Sequence, residues 1–142
     1  MTNGKNNQTF EQMLARQNSV KPRKHPAEEE HRIQCACVRL FRYKHPDLQR
    51  NLFAVPNGGR RDKVTGAKMK AEGVVPGVSD LILLVPNNYF HGLCIEMKDE
   101  KGIQRETQRE WQKAVEAEGY KYVLCRSLDD FERETEDYIS SR

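Results

Sequence analysis

The stretch that decides the fold of this chain is Gly77–Lys98, GVSDLILLVPNNYFHGLCIEMK. It contains two apolar runs, Leu81–Val85 and Gly92–Lys98, and between them lies Pro86-Asn87-Asn88, a combination typical of a turn. Two apolar runs joined by a turn predict a β-hairpin. Asp80 stands directly before the first run, so the hairpin begins at a charged residue.

Two charged residues, Glu96 and Lys98, lie inside the second apolar run. Side chains alternate between the two faces of a strand, so Glu96 and Lys98 point to the same face. The hairpin can bring Asp80 to that face as well. Two carboxylates held close together repel each other unless a cation joins them, and Mg²⁺ prefers oxygen ligands of this kind.

A simpler interpretation of the Glu-x-Lys pattern is an exposed ion pair on a solvated strand, which contributes little to stability. The position of Glu96 and Lys98 within an apolar run favours a functional role, because buried charges need partners.

Length and charge limit the possible architecture. With 142 residues, the chain has room for one core, and we predict a single domain over residues 27–142. Residues 1–27 carry five of the 24 basic residues and one of the 21 acidic ones, so the net charge of +3 comes from this segment. We predict that residues 1–26 form a basic, mobile arm, which is a modest indication of a polyanionic partner.

The four cysteines indicate neither a zinc site nor a secreted protein. No Cys-x-x-Cys pair is present, and the cysteines lie in or beside apolar segments, which is typical of small buried residues in a reducing compartment. With no signal peptide and no apolar run near 18 residues, we expect a cytoplasmic protein.

The remaining pattern predicts an α/β fold in the order α-β-β-β-α-β-α, with helices flanking a small mixed sheet. Helices are expected from Pro26 to about Tyr43, over about Arg105–Glu118, and after Ser127, which is a helix cap. Further strands are expected at Leu52–Val55 and Tyr120–Cys125, and Gly119 is expected to end the middle helix. Residues 57–75 are expected to form a long basic loop or a loosely helical excursion.

Helical periodicity supplies two further candidates for the charged site. Glu30 lies roughly 35° from the centre of the apolar stripe of the first helix, closer than its acidic neighbours. All three glutamates are also explained by their preference for a helix N-terminus. Gln108 shares a helix face with Trp111 and Val115, so it is expected to point inward. There it can hydrogen-bond a metal-bound water or a phosphate, or it can cap a strand carbonyl.

Together these motifs resemble the VRR-NUC (virus-type replication-repair nuclease) domain of the PD-(D/E)XK nuclease superfamily. The motifs occur in one order over about residues 28–129: Glu30-x-x-x-Gln34, Pro56-Asn57-Gly58-Gly59, Gly73-x-x-Pro76-Gly77-Val78-Ser79-Asp80-Leu81, Ile95-Glu96-Met97-Lys98 and Gln108-x-x-Trp111. The resemblance implies a restriction-endonuclease-like core and a Mg²⁺- or Mn²⁺-dependent phosphodiesterase that acts on DNA, often on branched repair or recombination intermediates such as Holliday junctions. Such domains occur in phages and bacteria, so the expected location is the cytoplasm of a bacterial or phage-infected cell. One departure is Ser79, which stands where the family usually has proline.

The resemblance also implies a role for each matching residue. Asp80 and Glu96 resemble the metal ligands, with the Met97 carbonyl as a further oxygen ligand and Glu30 completing the site directly or through water. Lys98 resembles the catalytic lysine, which acts on the attacking water and the transition state. Gln108 resembles the glutamine that steadies this arrangement.

The basic loop is expected to meet the DNA backbone, because glycines permit close approach and basic side chains contact phosphates. The candidate residues are Asn57, Gly58, Gly59, Arg60, Arg61, Lys63, Lys68 and Lys70. A solvated loop explains the same residues equally well.

Symmetric cutting of a branched or duplex substrate calls for a homodimer. The alternatives are a non-catalytic DNA-binding or assembly module with this fold, and a restriction-type duplex endonuclease.

Overall fold

One mixed sheet lies at the centre of the computed structural model, which describes residues 25–56 and 63–142. Its strands are β1 (Leu52–Ala54), β2 (Leu81–Leu83), β3 (Leu93–Met97) and β4 (Lys121–Cys125), and they lie side by side in that order. β1 pairs with β2 and β2 with β3 in antiparallel fashion, whereas β3 and β4 are parallel. The predicted hairpin is therefore confirmed as β2–β3, with Leu81 opposite Ile95.

Helices supply the remaining layers, as the sequence predicts. They are α1 (Pro26–Lys44), α2 (Lys63–Ala71), α3 (Glu106–Ala117) and α4 (Leu128–Ser140), with a 3₁₀ turn at Pro46–Leu48. The parallel pairing of β3 with β4 requires a crossover, and α3 provides it. The small mixed sheet flanked by helices confirms the α/β fold class.

The two faces of β3 have different surroundings, although every residue of this strand is buried. Leu93, Ile95 and Met97 belong to the apolar core, as expected from strand alternation. That core also contains Cys37 and Phe41 of α1 and Phe131 and Tyr138 of α4. Residues 94 and 96 face the side on which α3 lies, and there Trp111 packs 6.2 Å from the Tyr122 ring.

Chain reversals follow the predicted turn chemistry. The Asn87 side-chain oxygen accepts hydrogen bonds from the Tyr89 and Phe90 amides at 2.9 and 2.7 Å. Gly119 has a φ of +84°, the left-handed conformation expected of a residue that ends a helix. Ser127 caps α4, because its hydroxyl accepts the Asp130 amide at 3.1 Å.

The region predicted as a basic loop or a loosely helical excursion contains the regular helix α2. The predicted arm falls almost entirely on residues 1–24, which lie outside the described residues. All four cysteines are free thiols; three are buried and Cys35 is exposed. Among the helices of residues 25–56 and 63–142, none combines the length and apolar character needed to cross a membrane.

Candidate active site

Four of the predicted site residues meet at one end of the central strands. Asp80 directly precedes β2, Glu96 lies near the end of β3, and Lys98 directly follows β3. Gln108 lies in the first turn of α3, which covers this end of the sheet. The hairpin thus supplies three of the side chains, and the crossover helix supplies the fourth.

Glu96 is the centre of this cluster, and only 2% of its surface is exposed. Its Oε1 atom accepts a hydrogen bond from Gln108 Nε2 at 2.6 Å and lies 3.4 Å from Lys98 Nζ. Lys98 is itself 7% exposed, so the ion pair is shielded from water. The predicted common face of Glu96 and Lys98 and the inward position of Gln108 therefore hold in the structure.

Asp80 is fixed by the backbone of the neighbouring strand. Its Oδ2 atom accepts a hydrogen bond from the Met97 amide at 2.7 Å. In an extended strand, the N–H and C=O groups of one residue point to the same side. The Met97 carbonyl therefore faces the side on which Asp80 lies, where the family resemblance expects an oxygen ligand.

The two carboxyl groups are strained electrostatically by their closeness and their burial. Burial, followed by the nearby Asp80 charge, raises the pKa of Glu96 from 4.5 to about 7. Burial also raises the pKa of Asp80, against the lowering effects of the Met97 amide and the Lys98 charge. Glu96 Oε2 is buried, and no donor from residues 25–56 or 63–142 reaches it. When Asp80 and Glu96 are both ionised, their carboxylate oxygens repel each other, because no proton lies between them.

This donor set suits a hard divalent cation. Mg²⁺ usually takes one or two protein carboxylates and retains several waters. Asp80, the orphaned Glu96 oxygen and the Met97 carbonyl are oxygen donors of that type. In residues 25–56 and 63–142, no group of three or more His, Cys, Asp or Glu side chains is placed to hold a metal, so the two carboxylates would act with backbone and water oxygens.

Glu30 occupies a different place, beside the loop that follows Lys98. Its Oε1 atom accepts a hydrogen bond from the Asp99 amide at 3.2 Å. Gly102 lies close to both side chains: a Cβ atom built on this glycine would be 3.5 Å from the same Glu30 oxygen and 3.2 Å from the Lys98 Cδ atom. Glu30 thus borders the Lys98 side of the site, and its role as a metal ligand stays a prediction.

Arg126 holds the same loop, a role that the sequence reasoning missed. Its Nη1 atom donates to the Asp99 and Gly102 carbonyl oxygens at 2.8 and 2.6 Å. The carbonyl oxygen of the preceding residue, Cys125, accepts a hydrogen bond from the Lys98 amide at 3.0 Å. The end of β4 therefore fixes the backbone on which Lys98 stands, and no sequence motif marks Arg126 for this task.

Ser79, which stands where the resemblance expects proline, is fully buried. Its hydroxyl donates to the Leu81 carbonyl at 3.1 Å, so a local hydrogen bond shapes the approach to Asp80. Two residues earlier, Gly77 has a φ of +84°, and a Cβ atom there would overlap the Thr107 carbonyl. Only glycine allows the segment leading to Asp80 to pack this closely on α3.

The structure describes only some of the residues that are predicted to contact DNA. Lys63, Lys68 and Lys70 are exposed on α2. Asn57, Gly58, Gly59, Arg60 and Arg61 lie outside the described residues. Contact of any of these residues with DNA stays a prediction.

A mixed sheet flanked by helices, with a buried polar cluster at one end of its central strands, defines the class of this protein as an α/β domain. The sequence model of the VRR-NUC domain matches residues 15–129, and the chain belongs to this family. A solved structure of a VRR_NUC domain protein has a similar fold, with a TM-score of 0.70 and 25% sequence identity, over 80% of this chain and 89% of that chain. No curated protein matches the chain.

Proposed function

We propose that this protein is a divalent-metal-dependent DNA endonuclease that hydrolyses phosphodiester bonds in branched repair or recombination intermediates such as four-way junctions. Membership of the VRR-NUC family supports a nuclease. The observation that carries the proposal is the buried Glu96 carboxylate beside Asp80. One of its oxygens receives no donor from the described residues, and the other is held by Gln108 and Lys98. A purely structural role would favour satisfied polar atoms at this depth.

Mg²⁺ or Mn²⁺ is the proposed cofactor, held by Asp80, Glu96 and the Met97 carbonyl, with Glu30 acting directly or through water. A bound divalent cation would supply Lewis-acid stabilisation of a phosphoryl oxygen and a nucleophile at neutral pH.

The residues around the carboxylates have separable tasks. Lys98 places an ammonium beside Glu96, where it can donate to a phosphoryl oxygen as negative charge develops. Gln108 holds the Glu96 carboxylate in one orientation through its 2.6 Å hydrogen bond. Arg126 and Glu30 restrain the loop that follows Lys98, so the ammonium needs little reorganisation during the reaction.

DNA is proposed as the substrate because basic residues cluster in the segment before the hairpin and near the N-terminus. Such residues give affinity without sequence information, which suits recognition of a branched shape. A homodimer would bring two such sites to the two strands of a symmetric junction.

The test is incubation of the purified protein with labelled four-way junction, flap, nicked duplex and linear duplex DNA, each with Mg²⁺, Mn²⁺ or EDTA. The matched variants are Glu96→Gln and Glu110→Gln, the latter at an exposed position of α3. We expect metal-dependent cleavage, strongest on the junction, that is lost in Glu96→Gln and kept in Glu110→Gln. Binding without cleavage by the wild type would favour the non-catalytic module, and cutting of linear duplex at a fixed sequence would favour the restriction-type enzyme.

A further inference from the structure

We propose that Arg105 binds a DNA phosphate at the mouth of the carboxylate site. This inference rests on the proposed function and adds to it a substrate-contacting residue that belongs to none of the motifs described above. Arg105 immediately precedes α3 and stands three residues before Gln108.

The backbone of Arg105 is tied directly to the site. Gln108 Oε1 accepts the Arg105 amide at 2.8 Å, while the same side chain donates to Glu96 through Nε2 at 2.6 Å. One glutamine therefore joins the buried carboxylate to the residue that begins the helix. Arg105 and Glu96 are held in a fixed relation through two short hydrogen bonds.

The packing of α3 brings Arg105 toward Asp80 as well. The close contact of Gly77 with Thr107 and Gln108 presses the first turn of α3 against the segment that leads into Asp80. The residue that begins α3 therefore lies beside the carboxylate site.

The Arg105 side chain is exposed, and within the described residues its guanidinium makes no hydrogen bond or ion pair. Arg109, one turn later, offers a contrast. Its guanidinium donates to Glu106 at 2.6 Å and to the Gln104 carbonyl at 2.7 Å. Both arginines are exposed at the start of the same helix, but of the two only Arg105 has a guanidinium that no described residue engages.

A guanidinium in this position has the chemistry to bind phosphate. Its planar array of donors matches two phosphate oxygens at once, and charge-assisted hydrogen bonds of this type are strong. The same charge opposes a divalent cation between Asp80 and Glu96 when DNA is absent. Arg105 should therefore strengthen DNA binding and slightly weaken metal binding in the free protein, two effects of opposite sign.

The experiment compares Arg105→Ala and Arg105→Lys with Arg109→Ala as the matched control. Fluorescence anisotropy with a labelled four-way junction in Ca²⁺, at several salt concentrations, measures DNA affinity without turnover. We expect Arg105→Ala to weaken binding about 10- to 100-fold. We also expect its salt slope to fall by about 1, the signature of one lost phosphate contact. Arg105→Lys should keep the salt slope and recover part of the affinity.

Mn²⁺ titration without DNA supplies the second measurement. Arg105→Ala should bind Mn²⁺ as tightly as the wild type or a few-fold more tightly, with an unchanged melting temperature. DNA affinity and salt slope equal to those of Arg109→Ala would overturn the inference. A parallel loss of Mn²⁺ and DNA binding would also overturn it, by assigning Arg105 a structural role. Both measurements are independent of cleavage, so an inactive wild type would refute the proposed function while leaving this test intact.

Discussion

Replacing Glu96 by Gln should stabilise the metal-free protein at alkaline pH, although it removes the central residue of the proposed site. The pKa of Glu96 is raised by burial and by Asp80 from 4.5 to about 7 in the folded state. A carboxyl group of this kind contributes its full stability below the unfolded-state pKa. That contribution is lost as the pH rises through the folded-state pKa.

The size of the effect follows from the pKa difference, because one pKa unit corresponds to about 1.4 kcal/mol. Between pH 5 and pH 8, the wild type should lose about 2 to 3 kcal/mol of unfolding free energy that the variant retains. For a domain of this size, the relative change in melting temperature is roughly 8 °C. The amide that Glu96→Gln introduces can also donate toward Asp80, because it replaces Glu96 Oε2, which receives no donor from the part of the chain that the structure describes.

The assay is thermal unfolding in EDTA at pH 5 and pH 8 for the wild type, Glu96→Gln and the exposed control Glu110→Gln. Adding Mn²⁺ at pH 8 should raise the wild-type melting temperature and change that of Glu96→Gln much less, because a ligand stabilises the state that binds it. A Glu96→Gln variant less stable than the wild type at pH 8 in EDTA would refute this effect of Glu96 burial. The same stability difference between the two proteins at both pH values would also refute it.

Three further predictions concern Lys98 and the loop that follows it. Lys98→Ala should keep Mn²⁺ binding but lower the single-turnover cleavage rate at least 100-fold, with poor recovery in Lys98→Arg, and a near wild-type rate would contradict its role. Glu30→Gln keeps an acceptor for the Asp99 amide, so calorimetry should show unchanged folding and a smaller loss of Mn²⁺ affinity than for a ligand from the hairpin. Arg126→Lys should lower the free energy of unfolding, measured in denaturant, by about 1 to 2 kcal/mol and lower kcat more than it changes KM. An unchanged free energy of unfolding and an unchanged kcat would show that the hydrogen bonds from Arg126 to the loop after Lys98 are dispensable.

The hairpin and its charged face were predictable because strand alternation is a strong local rule. It places Glu96 and Lys98 on one face whatever the rest of the fold does, and the 3.4 Å contact follows from it. Helical spacing likewise indicated the inward position of Gln108, which is buried against Glu96. These side chains are positioned by the periodicity of their own elements.

The surroundings of the site were less predictable, because they depend on how separate elements meet. Periodicity gives the direction of Glu30 around the helix axis, but not how far along the sheet the first turns of α1 lie. Its carboxylate reaches the loop after Lys98. Arg126 and Arg105 take their positions from the packing of β4 and α3, and their sequence neighbourhoods contain no motif that reports it.

The central claim is that Asp80 and Glu96 form a divalent-metal site, and Mn²⁺ binding to the wild type and to Asp80→Asn tests it most directly. Asp80→Asn retains an oxygen acceptor for the Met97 amide, so the local fold should persist while the ligand charge is lost. Electron paramagnetic resonance of free Mn²⁺ during titration at pH 8 gives both affinities. We expect saturable Mn²⁺ binding by the wild type and binding at least ten-fold weaker by Asp80→Asn. Equal binding by the two proteins, or no saturable binding by the wild type, would contradict it.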